Sequence, residues 1–146
     1  MSMREPDLNI ASHFSLWVHG RQFPDAQDYW DGNWLNVLAR VKTDGAKVEA
    51  SGAIVRNSEI LGFCKELEAL DSNVSGSAHL KCIEPDLDIV LKADTLGHIA
   101  ITIMITPDQL NQSHTFKFDF DQTFLKPLIK ACKDILSRYP IREPLG

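Results

Sequence analysis

The sequence predicts an α+β fold of about seven mostly antiparallel strands with two amphipathic helices, in the order βββ-α-ββββ-α. Three observations predict it. Seven short stretches alternate apolar and polar residues with the period of a half-buried strand. Two longer stretches repeat apolar residues at helical spacing. The strands come in runs joined by short turns, which favours antiparallel pairing with the helices over one face or the open ends of the sheet.

Residues 1–12 are polar, carry a proline and show no period, so they read as a loose arm. His13 to His19 alternates, with Phe14, Leu16 and Val18 on one face and His13, Trp17 and His19 on the other. That second face is a candidate small binding surface. After Gly20 comes an acidic aromatic loop, FPDAQDYWDGNWLNV at 23–37, whose end passes into the next strand. From Asn33 the chain is extended, with Leu35, Val37, Ala39 and Val41 on one side. Asp44-Gly45 signals a hairpin, because both residue types tolerate the backbone such turns require. The return strand covers about 46–55. A helix follows, capped by Asn57 or Ser58 through a side-chain oxygen on a free backbone N–H. Its buried stripe is Ile60, Phe63, Cys64, Leu67 and Leu70, and it ends near Asp71.

Four strands follow. Leu80 and Cys82 mark the first, within 78–84. Leu87, Ile89, Leu91 and Ala93 form the next inward row. Ile99, Ile101, Ile103 and Ile105 alternate with Ala100, Thr102 and Met104, a pattern expected of a strand covered on both faces. Phe116, Phe118 and Phe120 alternate with Lys117, Asp119 and Asp121. The closing helix, about 123–138, buries Leu125, Leu128, Ile129, Cys132, Ile135 and Leu136, and Pro127 must sit in its first turn.

At 146 residues, with a 44% apolar and 24% charged composition, the chain reads as a single domain, 1–146, able to bury a substantial core. No apolar run is long enough for a membrane helix, and the opening residues lack a secretory pattern. Cys64, Cys82 and Cys132 are widely spaced and form no CxxC pair. Reduced thiols in a cytoplasmic protein are the expectation. The net charge is −5, and residues 1–88 hold 14 of the 20 acidic residues but 8 of the 15 basic ones. Such a surface disfavours nucleic acid and suits a basic partner.

No nucleophile elbow, phosphate loop, dinucleotide fingerprint or zinc-protease motif is present. Asp25, Asp28 and Asp31 are spaced three apart, which does not match a calcium loop. The reading is therefore of no enzyme, no cofactor and no metal. Asp25, Asp28, Tyr29, Trp30 and Asp31 are candidate partner-binding residues, since exposed aromatics beside carboxylates make good anchors. Asn33 and Trp34 are read as a structural motif, with Trp34 or its neighbour Leu35 facing a second layer.

Gln22-Phe23-Pro24-Asp25, then Trp30-Asp31-Gly32-Asn33-Trp34-Leu35-Asn36-Val37, resemble the WapI-like family of bacterial immunity proteins. Ile83-Glu84-Pro85-Asp86-Leu87 and Tyr139-Pro140-Ile141-Arg142 extend the resemblance. It implies a small cytoplasmic antidote, encoded beside a large toxin, that binds and neutralises the cognate toxin domain, often a nuclease. The alternative is a ligand-binding or scaffold domain, homodimeric through an exposed strand edge.

Overall fold

The computed structural model describes residues 4–73 and 75–142. Two four-stranded antiparallel sheets, each a simple meander, carry the fold. The first is β1 (Leu8–Ile10), β2 (Phe14–Arg21), β3 (Trp34–Thr43) and β4 (Ala46–Arg56). A single-turn helix α1 (Tyr29–Gly32) lies between β2 and β3. Helix α2 (Asn57–Asn73) leads to the second sheet, β5 (Gly76–Lys81), β6 (Leu87–Ala93), β7 (His98–Ile105) and β8 (Thr115–Asp121). A 3-10 turn, Gln122–Phe124, opens into α3 (Leu125–Arg138).

The inward rows of both sheets and the apolar stripes of α2 and α3 join in one hydrophobic cluster. Helix α2 packs on β4 and β5, α3 packs on α2 and β1, and β7 meets β3 and β4. Burying these rows supplies most of the driving force, at about 25 cal/mol per Å² of apolar surface. The α+β class and antiparallel pairing are as the sequence predicts, with eight strands and three α-helices among the described residues. Pro127 falls in the first turn of α3, where its missing N–H has no partner to lose.

Four expectations are corrected. Residues 4–12 are not a loose arm (residues 1–3 lie outside the described residues). Leu8 and Ile10 are buried in β1, and the Asp7 N–H donates to the Leu16 carbonyl at 2.8 Å. Asp7 adds to the polar look of this segment yet is built into the fold. Its carboxylate, 5% exposed, takes a bidentate pair from Arg4, the Val18 N–H at 2.7 Å and Arg138 of α3 at 2.6 Å. Burial alone would push this carboxyl up; the hydrogen bonds from Arg4, Val18 and Arg138 outweigh it and hold the pKa at about 2.

Second, β7 is covered on one face only, since Ala100 and Met104 are exposed. The small or apolar character of Ala100 and Met104 suggests a second covered face, but both stand outside the hydrophobic cluster that buries the isoleucines. Third, neither Asn57 nor Ser58 caps α2. Glu59 does so, accepting the Arg56 N–H at 2.7 Å with one oxygen and the Ile83 N–H at 2.8 Å with the other. Asn57 is used elsewhere.

Fourth, the His13, Trp17 and His19 face does not exist as a surface. Trp17 is 5% exposed, donates its indole N–H to the Arg4 carbonyl at 2.7 Å, and lies under the Arg40 guanidinium. His13 sits in the β1–β2 turn and stacks on Phe118 of β8, 4.2 Å between centroids. His19 is exposed alone at a β2 bulge.

Candidate functional site

The connection between β2 and β3 is a compact loop whose ends meet. The Gln22 N–H donates to the Trp34 carbonyl at 2.9 Å, and bulges in both strands bend them at its mouth. A loop of this length stays in one shape only if its backbone groups are satisfied locally. Here the side chains of Arg21, Asp28, Asn33 and Arg142 satisfy several of them, and side chains of the base also hold the segment 139–142.

Asn33 is the centre of this base. It is fully buried. Its amide nitrogen donates to the Tyr29 carbonyl at 2.8 Å and the Arg142 carbonyl at 3.0 Å, while its oxygen accepts the Arg142 N–H at 2.8 Å. The side chain thus imitates a peptide group and pairs with residue 142 as a neighbouring strand would. Arg142 returns the contact, donating to the Pro24 and Ala26 carbonyls, both at 2.7 Å. Arg21 donates to the Gly32 carbonyl at 2.7 Å and to the Pro140 carbonyl. Asn57, also fully buried, donates to the Tyr139 carbonyl at 2.9 Å. Burial, and then the nearby Arg142, lower the Arg21 pKa.

Gly32 is fixed by close approach. A Cβ there would stand 2.6 Å from the Ala26 carbonyl oxygen and 3.2 Å from the Arg142 side chain. No side chain fits without moving backbone.

Above this base the loop is exposed. Asp28 caps α1 by accepting the Asp31 N–H at 3.1 Å, as short polar residues do at helix starts. Tyr29 is half-buried and meets Trp30 edge to face, centroids 5.3 Å apart. Trp30 is 61% exposed and Phe23 is 45% exposed. Asp25, Asp28 and Asp31 are exposed and belong to none of the ion pairs among the described residues. The result is two indole and phenyl surfaces among three unpaired carboxylates.

The structure thus brings all five candidate binding residues onto one loop. It separates the two residues read as a motif: Asn33 is buried, whereas Trp34 is partly exposed over the Arg56 guanidinium at 5.6 Å, and Leu35 takes the inward position. Sequence reasoning missed Phe23 as an exposed aromatic and missed Arg21, Asn57 and Arg142 as base residues. Their contacts span up to 119 positions, and no local pattern carries that information.

The three aspartates do not converge, and among the described residues no group of three or more His, Cys, Asp or Glu side chains is arranged to hold a metal ion. The cysteines are free; burial pushes the Cys132 thiol up to about 12 and raises Cys64 and Cys82, which suppresses thiolate chemistry. Among the described residues no helix is long and apolar enough to cross a membrane.

A model of the immunity protein WapI-like family matches residues 8–140. The chain belongs to this family. Neither the curated proteins nor the solved structures gave a match. The region shared with the WapI-like family takes in the whole loop, its base residues Arg21, Gly32, Asn33 and Asn57, and Tyr139 and Pro140. Arg142 lies just beyond it.

Proposed function

We propose that the protein is a cytoplasmic immunity protein that neutralises a cognate toxin domain by stoichiometric binding, without catalysis. The loop 22–32 is its principal contact. The observation that carries this reading is the exposure of Trp30 and Phe23 on a loop whose backbone is already fixed by Asn33, Gly32 and Arg142. Large aromatics on a rigid support lose little conformational freedom on binding and fill pockets well. The surrounding carboxylates suit a basic partner surface, as found around nuclease sites that hold phosphate backbones. A nuclease toxin is the class this field fits.

The test is co-expression with the toxin domain of the neighbouring gene, and calorimetric titration of the purified pair at low and raised salt. Rescue of growth and a 1:1 complex that weakens with salt support the reading. Absence of both rescue and complex overturns it.

A further inference from the structure

Strand β8, whose Asp119 and Phe120 share a groove with Asn9, Ala11 and Ser12, is an edge of the second sheet. Its hydrogen-bonding parity follows from two contacts that bracket it. The Ile105 N–H donates to the His114 carbonyl at 3.2 Å, and the Gln122 N–H donates to the Gly97 carbonyl at 3.0 Å. The even-numbered residues of β8 therefore turn their peptide groups toward β7. Thr115, Lys117, Asp119 and Asp121 turn theirs outward, and among the described residues those groups meet no backbone partner. An open row of donors and acceptors is a template for another strand.

The side chains along this edge select the strand. Lys117 and Asp119 are exposed, and neither makes a hydrogen bond or ion pair among the described residues. On the other face Phe116 and Phe118 are half-buried, with His13 stacked on Phe118, and Phe124, 55% exposed, stacks on Phe120 with centroids 5.9 Å apart. Pairing β8 with itself in antiparallel fashion must keep outward residues opposite outward residues. Centring the two-fold axis on Lys117 or on Asp119 sets like charges directly opposite. Centring it on Phe118 sets each Lys117 opposite the other copy's Asp119, twice by symmetry. The same register sets Phe116 opposite the other copy's Phe120 and Phe118 opposite its own copy.

We infer that β8 is the interface for a second copy of this chain, paired about Phe118 into a continuous eight-stranded sheet.

Sedimentation equilibrium of the full chain, taken to millimolar concentration, tests this. The wild type is expected to dimerise. Lys117→Asp and Asp119→Lys each place like charges opposite one another and should weaken dimerisation roughly 10-fold or more. The double swap restores opposite charges and should restore the dimer. Amide exchange of the wild type, read residue by residue, provides a test that needs no variant: Thr115, Lys117, Asp119 and Asp121 should become protected as concentration rises. A wild type that stays monomeric overturns the inference. So does a dimer indifferent to both single swaps, or one that leaves those four amides unprotected.

Discussion

The base and the tip of the β2–β3 loop are neighbours in sequence and opposite in physical character. At the base, Gly32 and Asn33 are buried and both polar atoms of the Asn33 side chain have partners. Two residues away, Trp30 and Asp31 face solvent. A single stretch thus holds a buried clasp and an exposed tip, the tip being the proposed contact surface, and the division falls within one turn of helix. Residues that mark the stretch in sequence therefore divide between a buried base and an exposed tip, and composition does not tell which is which.

The division can be broken most forcefully at Asn33. Asn33→Ala removes three hydrogen bonds and strands the Arg142 N–H and two carbonyls, at an expected cost of about 2–4 kcal/mol in denaturant unfolding. A cost under about 0.5 kcal/mol would place Asn33 outside the clasp. Gly32→Ala is next: the added methyl must displace the Ala26 carbonyl, costing about 1–3 kcal/mol.

Acid sharpens the contrast from the other side. Asp7 ties residue 4, β2 and the end of α3, from which the segment 139–142 departs. Its folded pKa of about 2 lies below the ordinary 3.8. The unfolded chain thus binds the proton more readily, so the contribution is complete above about pH 4 and disappears as pH falls through about 2. It amounts to about 2 kcal/mol, and Asp7→Asn should flatten that part of the stability profile measured by unfolding against pH.

The strands, both long helices and the antiparallel pairing were legible because period-two and period-3.6 apolar patterns are local. Strand β1 was not, because three residues are too few to show a period and Asp7 disguises a buried segment as a polar one. Trp34 and Leu35 illustrate a finer limit: alternation says that the two face opposite ways, but only the layer packed on β3 decides which is buried. For the site, exposed acids and aromatics were recognisable by type. The clasp was not, since Asn33 and Arg142 are 109 positions apart and an asparagine that imitates a peptide group looks like any other asparagine.

The smallest effect on stability and the most decisive on function are expected at the tip. Trp30→Ala should change unfolding free energy by no more than about 0.5 kcal/mol. Its affinity for the toxin domain, measured by calorimetric titration beside the wild type, should fall roughly 10-fold or more. Unaltered affinity in a variant that folds normally would contradict the assignment of the loop as the contact surface.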